Sequence, residues 1–466
     1  MRARFTVLCL IGTALMAQSV DRTKPPQTPP LPAFRLPPVS ESQLDNGLAV
    51  ALVEDPRFPL VTVRLSFQAG SKYDPANLPG LSQSVGAMLT EGTKARSARQ
   101  IAEDLASIGG TLVASSSPDA LTLAGSALSE HAGTLIDLVA DVARNAAFPE
   151  EEVALHKQNR QQELLAQRSD PAYLADEAMH RVVFGSHPYG HIGPTAESIE
   201  RLDRHALAAF RDRLLIPNNA TLIVLGRLPE RARMLALIGE KFGGWERRPA
   251  PEAPQARFPE QRKTLVLVDR PGSVQADIRV ARRAVTRREA DYFPLLLADN
   301  ILGGGASSRM FRNIREEKGY AYDAHSELDA RRDAGLFSAV TQVRNEVVEP
   351  ALQAVFSELG RMAAQPVPAA ELDDVKNYLT GHFVLGLESQ DGLARMLNMV
   401  KVMGLPNDYL EKYTPRVRAV TPAQIQAAAE RHMTPDKAAV IVVGDGAKIG
   451  KSLEKFGKFE VTKADQ

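Results

Sequence analysis

Asn219-Ala-Thr-Leu-Ile-Val-Leu-Gly226 and Lys437-Ala-Ala-Val-Ile-Val-Val-Gly444 decide the fold, because they are two versions of one strand. Each follows a helical stretch and a proline, Pro217 or Pro435, and the spacing is constant: 435 − 217 = 218 and 444 − 226 = 218. Each is followed by a charged helical stretch that ends in the same four residues, Glu240-Lys-Phe-Gly243 and Glu454-Lys-Phe-Gly457. Further upstream, Pro149-Glu-Glu-Glu and Pro368-Ala-Ala-Glu open long helical stretches at nearly the same offset, 368 − 149 = 219. A unit of roughly two hundred residues is too large for a solenoid repeat, so the chain reads as a tandem domain duplication.

Between the copies, Arg247 to Arg262 holds Pro249, Pro251, Pro254 and Pro259 among alternating charges, the composition of a linker. The expected domains are therefore 41–246 and 263–460, joined by 247–262. In the first half, Asp45-Asn46-Gly47 reads as a hairpin turn, with Leu48 to Val53 and Val61 to Phe67 as strands and ordered structure starting near Leu44. In the second, Val274–Val280 and Ala334–Val343 read as strands, Tyr292–Leu302 and Val347–Met362 as helices. Hairpin-like strands alternating with long amphipathic helices predict an α+β class: two homologous α/β-sandwich domains, each a mostly antiparallel sheet packed with helices. No G-x-G-x-x-G follows the first strand, so a Rossmann sheet is not expected.

Size and charge narrow the function. A chain of 466 residues exceeds one ordinary core, and 44% hydrophobic with 24% charged residues is ordinary globular usage. Lys+Arg and Asp+Glu both number 56, so no global basic field supports a nucleic-acid partner. At the start, Arg2 and Arg4 precede an apolar run from Phe5 to Ala17, the pattern of a signal peptide over 1–17 and too short to span a bilayer. Residues 18–40 (PPQTPPLP at 25–32) favour extended, solvated chain. Cys9 is the one cysteine and lies inside the apolar run, so no disulfide is expected. A periplasmic or secreted location follows as an expectation.

The chemistry is less plain. His187 and His191 in Ser-His-Pro-Tyr-Gly-His have metal-ligand spacing, but Pro188 and Gly190 disfavour a helix and no carboxylate accompanies them. The better reading is a loop with two solvated histidines, and an autonomous enzyme built on that pair is the weakest hypothesis. Gly303-Gly304-Gly305 precedes Ser307 and Ser308 without the lysine of a P-loop. It reads as a capped turn or as an exposed strip that lets a peptide backbone approach. No G-x-S-x-G elbow supports a serine nucleophile.

One segment is specific. Pro79-Gly-Leu-Ser-Gln-Ser-Val-Gly-Ala-Met-Leu-Thr-Glu-Gly-Thr93 resembles the first-helix signature of the pitrilysin/insulinase family, which includes the mitochondrial processing peptidases. There the frame encloses the inverted zinc motif H-x-x-E-H. In this chain Gln83 stands for the first histidine, Gly86 for the catalytic glutamate and Ala87 for the second histidine. Glu163 stands at the distance of the family's third ligand (163 − 83 = 80). Catalytic zinc needs three protein ligands and an open water position. Glu163 alone cannot meet that need, so it reads as an exposed helix glutamate, and no zinc is expected in this chain.

The second half carries the complementary marker. Phe311-Arg-Asn-Ile-Arg-Glu-Glu-Lys-Gly-Tyr-Ala-Tyr322, after Leu302-Gly-Gly-Gly and Ser-Ser-Arg, resembles the family's Arg/Tyr element, matching Arg315 and Tyr322. The resemblance covers roughly 40 to 460. It implies a heterodimer with a homologous H-x-x-E-H subunit that carries the zinc. The two would close on an extended peptide or unfolded polypeptide, with Arg315 and Tyr322 as hydrogen-bond donors to substrate and transition state and Gly303 to Gly305 as a substrate strip. The alternative it implies is a non-enzymatic peptide-binding or scaffold protein of the same fold.

Overall fold

The computed structural model describes residues 34–254 and 256–464. The expected signal segment, Cys9 and most of the Pro-rich stretch lie outside the described residues. Among those described, twelve strands form two six-stranded sheets. The first holds β1 (Val39–Gln43), β2 (Ala49–Glu54), β3 (Leu60–Phe67), β4 (Thr111–Ser116), β5 (Leu121–Leu128) and β6 (Ala220–Gly226) in the order β1-β2-β6-β3-β5-β4. The second holds β7 (Thr264–Asp269), β8 (Gln275–Ala284), β9 (Ala321–Asp329), β10 (Gly335–Arg344), β11 (Ala439–Gly444) and β12 (Glu460–Lys463) in the order β12-β7-β11-β8-β10-β9. Pairings β2/β6, β7/β11 and β7/β12 are parallel and the rest antiparallel. The α+β sandwich expected from the duplication is what the chain forms.

Ordered structure begins before Leu44, contrary to expectation: β1 pairs with β2 from Val39, opposite Val53. The Asp45-Asn46-Gly47 turn closes that hairpin with Gly47 at φ +90°, and Asn46 Nδ2 ties it to the carbonyls of Phe242 (2.8 Å) and Trp245 (3.1 Å). Residues 247–262 contain no helix or strand among those described. They are nonetheless docked, since Phe258 stacks on His187 with ring centroids 4.2 Å apart.

Six helices matter for the site and its frame: α1 (Leu81–Met88), α2 (Glu150–Ser169), α3 (Pro171–Phe184), α4 (Tyr292–Gly303), α5 (Ala369–Gly386) and α6 (Gln390–Val402). Local rules set their ends. Three glutamates open α2 and Arg168 sits in its last turn, matching the helix dipole. Asp170 caps α3 through the Ala172 amide, with Pro171 in its first turn. Ser389 caps α6 through the Gly392 amide.

The unbroken apolar runs that mark the duplication have a tertiary cause. Successive residues of a strand face opposite sides, so a strand apolar at every position must be covered twice. On β6, Leu222 and Val224 enter the core of the first half, while Ile223 and Leu225 join a cluster with Leu393 and Leu397 of α6. On β11, Val440 and Val442 enter the core of the second half, while Ile441 and Val443 meet Leu174, Ala178 and Phe184 of α3. Each half thus lends one helix to the outer face of the other's sheet. Every fully buried aliphatic side chain in these layers contributes about 1.5–3 kcal/mol.

Polar contacts repeat the exchange. Arg64 of β3 pairs with Asp391 of α6 at 2.6 Å, and Arg279 of β8 pairs with Asp176 of α3 at 2.8 Å. The offsets agree in both directions, 279 − 64 = 215 and 391 − 176 = 215. A third tie is buried: Lys72 Nζ lies 3.0 Å from Asp119 Oδ1 and 3.0 Å from Asp333 Oδ2. Asp119 also accepts from Tyr189 Oη (2.5 Å) and from the Arg332 amide (3.0 Å).

Candidate functional site

The first half of the site is built on α1. Its entry is tight: Gly80 at φ +87° begins it, and a Cβ there would meet the Pro194 Cβ at 2.8 Å. A glycine offers no capping side chain, and Asp74 supplies the cap from outside the helix. Its carboxyl oxygens accept from the amides of Gly80 and Ser82, both at 2.8 Å. Burial pushes this carboxyl up to about 7, against the pull of those amides. Val85 and Met88 anchor α1 in the core.

Gln83 leaves α1 toward α2. Its Oε1 accepts from Arg160 Nη2 at 3.2 Å and its Nε2 donates to the Ile192 carbonyl at 3.4 Å. The same guanidinium donates through Nη1 to Glu163 Oε2 at 2.6 Å. His156, Arg160 and Glu163 follow one another at helical spacing on α2, and burial together with Arg160 holds His156 below the usual imidazole range. Glu163 is the exposed helix glutamate that the sequence suggests, though not an isolated one. It is half-exposed and neutralised by a cation one turn away. Arg160 is the residue that sequence reasoning missed; its only sequence signal is the i, i+3 spacing to Glu163.

These residues do not fit a zinc ion. Gly86 and Ala87 carry no donor, Gln83 Oε1 is already an acceptor for Arg160, and Glu163 is paired with that arginine. Among the described residues no three His, Cys, Asp or Glu side chains converge as a metal requires. The structure does bring His191 to the site: it lines a cavity of about 90 Å³ with Gln83 and Asp74. His187 goes elsewhere. It is buried, correcting the expectation of two solvated histidines, because its Nδ1 accepts from the Tyr189 amide at 3.1 Å while its ring stacks on Phe258. Burial lowers its pKa.

The second half of the site lies on an edge. The segment Phe311–Glu317 is a π-helical turn, with the Lys318 amide reaching the Asn313 carbonyl (3.2 Å) and the Tyr320 amide the Ile314 carbonyl (3.0 Å). Such turns recur at functional positions. Two anchors hold it. Arg309 makes a bidentate pair with Glu371 of α5 (3.0 and 2.7 Å), and Asn313 Nδ2 donates to the buried Glu358. The wide turn leaves Arg315 between two rings, 4.5 Å from the Phe311 centroid and 4.7 Å from the Tyr322 centroid. Tyr322 stands on β9, the edge strand of the second sheet, and is 84% exposed. Guanidinium and phenol are both hydrogen-bond donors, and cation–π stacking fixes their relative position.

Gly303 to Gly305 divide by packing. Gly303 ends α4 and is buried, and a Cβ there would stand 1.9 Å from the Ser326 amide nitrogen on β9. This glycine serves the close approach of helix and strand, whereas the sequence suggested a wholly exposed strip. Gly304 and Gly305 are exposed, and a Cβ on Gly305 would meet nothing within 4 Å.

Comparison with known proteins bears on the family and the fold. Residues 49–192 match the family described as "Insulinase (Peptidase family M16)", and residues 201–379 match "Peptidase M16 inactive domain". An uncharacterized zinc protease of Bacillus subtilis is 23% identical over 86% of this chain and 97% of its own length. One from Mycobacterium leprae is 27% identical over 86% and 90%. Among solved structures, a peptidase M16 inactive domain from Pseudomonas fluorescens superposes with a TM-score of 0.82 at 26% identity, covering 87% of this chain and 98% of that one. A protease from Helicobacter pylori shares the fold, with a TM-score of 0.80 at 18% identity over 88% and 100%. With both family descriptions matched along its length and the whole two-sheet architecture shared, the chain belongs to the insulinase (M16) family of peptidases.

Proposed function

We propose that this chain is the partner subunit of a two-chain zinc peptidase, supplying substrate-binding and transition-state donors while a homologous H-x-x-E-H subunit supplies the metal. The observation that carries this reading is the asymmetry of the two half-sites. The metal half lacks a donor set and is closed by Arg160, whereas the Arg315–Tyr322 stack is anchored and exposed. Arg315 and Tyr322 donate hydrogen bonds to the scissile carbonyl, or to adjacent backbone, as negative charge develops on oxygen. Gly304 and Gly305, with no side chains in the way, let an extended peptide or unfolded polypeptide come close. Export to the periplasm or beyond belongs to the same proposal, on the basic and apolar start of the chain, and fractionation of a tagged full-length protein tests it.

The decisive experiment mixes the purified chain with an H-x-x-E-H homologue from the same cell. The chain alone is expected to hold no stoichiometric zinc and to cleave nothing, and the mixture to cleave unfolded peptides. Arg315→Ala and Tyr322→Phe are each expected to lower that cleavage. Full activity of both variants in the mixture refutes the proposal. The second reading, a non-enzymatic peptide-binding scaffold, is favoured by the unaided closure of the metal half through Arg160. It requires peptide binding by this chain with no cleavage under any pairing.

A further inference from the structure

A second cavity lies away from both half-sites. About 610 Å³ in volume, it opens between the start of α4, the turn at Gly404 to Pro406 and the helix Tyr409–Ala419. Arg287, Arg288 and Arg416 line it, against a single carboxylate, Glu289, so the lining carries a net charge of 3 − 1 = +2. Glu289 is engaged locally, its Oε1 accepting from the Thr286 amide at 2.7 Å. The size falls within the roughly 300–1,000 Å³ of small-molecule sites.

The arginines are held in place without a carboxylate partner among the described residues. Arg288 spends Nε and Nη2 on the Met403 carbonyl, at 3.1 and 2.7 Å. Arg416 lies over the Phe293 ring, 5.8 Å from its centroid. Arg287 gives Nη1 to the Tyr292 hydroxyl, but its Nε is buried with no hydrogen-bond partner. The Tyr409 hydroxyl, on a residue lining the same cavity, is buried beside the Arg287 guanidinium and interacts with it. Guanidinium stays charged at any ordinary pH, and three of them around one cavity with no carboxylate paired to them among the described residues favour an anion that can enter it. Phe293, Pro294, Leu405 and Val420 give the remaining wall an apolar character that an inorganic ion cannot use.

We infer that this cavity binds a small organic anion, its carboxylate or phosphate group held by Arg287 and Arg416 and its apolar body lying on Phe293 and Leu405. The cavity lining does not include Arg315 or Tyr322. Isothermal titration and thermal-shift measurements on the full chain test it with benzoate, phenyl phosphate and inorganic phosphate as probes. Saturable binding of benzoate or phenyl phosphate is expected, with inorganic phosphate at least about tenfold weaker for lack of an apolar body. Arg416→Ala is expected to weaken binding about tenfold, the scale of one charge-assisted hydrogen bond. Arg287→Met is expected to abolish it. Arg416 is exposed, so its substitution leaves the fold intact even where Arg287→Met does not. The inference is overturned by no saturable binding of either organic anion, by unchanged binding in Arg416→Ala and Arg416→Glu, or by inorganic phosphate binding as tightly as phenyl phosphate.

Discussion

Arg160 Nη2 donates to Gln83 Oε1 at 3.2 Å, placing a protein-borne cation between Gln83 and Glu163, the two residues that the family resemblance aligns with the first and third zinc ligands. Where the resemblance expects a metal, this chain has an arginine bridge. A guanidinium supplies positive charge there but has no open coordination position, so it cannot activate a water as a metal does.

This pairing makes a gain-of-metal experiment informative. Gln83→His, Gly86→Glu and Ala87→His together restore the donor types, and Gly86 has room, since a Cβ there would come no closer than 3.8 Å to its neighbours. Zinc affinity, read by metal analysis after dialysis and by titration, is expected to stay weak while Arg160 is present. Adding Arg160→Ala should raise it at least about tenfold by freeing Glu163 and removing a like charge. Equal affinity with and without Arg160 contradicts this.

For the Arg/Tyr pair, fold and activity should separate. Tyr322 is so exposed that Tyr322→Phe is expected to leave stability within about 0.5 kcal/mol. In the mixed-subunit assay the same change should cost about 10²–10³ in kcat, the scale of one lost oxyanion donor. A parallel fall in melting temperature would assign the phenol to structure instead.

The glycines of the second half should differ sharply. Gly303→Ala forces a Cβ against the Ser326 amide and is expected to destabilise by about 2–4 kcal/mol in urea unfolding. Gly305→Ala, with open space around it, should stay within about 0.5 kcal/mol.

At the contact between the halves, Lys72→Met leaves Asp119 buried beside Asp333 without a cation. A loss of about 3–5 kcal/mol is expected, the cost of breaking a buried pair on one side. Lys72→Met with Asp119→Asn should recover part of it, and a double-mutant cycle on denaturation midpoints measures the coupling.

Acid should loosen the same contact through His180. Its Nδ1 faces the Asp176 carbonyl at 2.9 Å and its Nε2 faces Arg331 Nη2 at 2.9 Å, so the neutral ring donates to one half and accepts from the other. Burial and the charge of Arg331 hold its pKa down to about 4, against the opposing pull of Asp176 and Asp329. The unfolded chain then binds more protons between about pH 6.5 and 4, and stability falls as pH falls through that window. At pH 5 the loss is roughly 2 kcal/mol, from 1.36 kcal/mol per unit over about 1.5 units. Denaturation at pH 7 and 5 should show that loss in the wild type and a smaller one in His180→Gln.

Much of this protein is written in short-range pattern. The paired strands ending at Gly226 and Gly444, the helices opened by Pro149 and Pro368, and the replaced motif at Gln83, Gly86 and Ala87 are legible because each depends on neighbours a few positions away. What the strands' apolar runs require is not legible there. That α3 covers Ile441 and α6 covers Ile223 follows from two copies packing about a pseudo-twofold relation, which no local pattern encodes. The same holds for Arg160 meeting Gln83, 77 positions away, for His187 buried under Phe258, and for Gly303 pressed on Ser326. Composition and periodicity determine which elements form, and the family resemblance implies which metal donors are missing. The close approach of distant segments determines which side chains are used up by packing and which, like Tyr322, remain exposed.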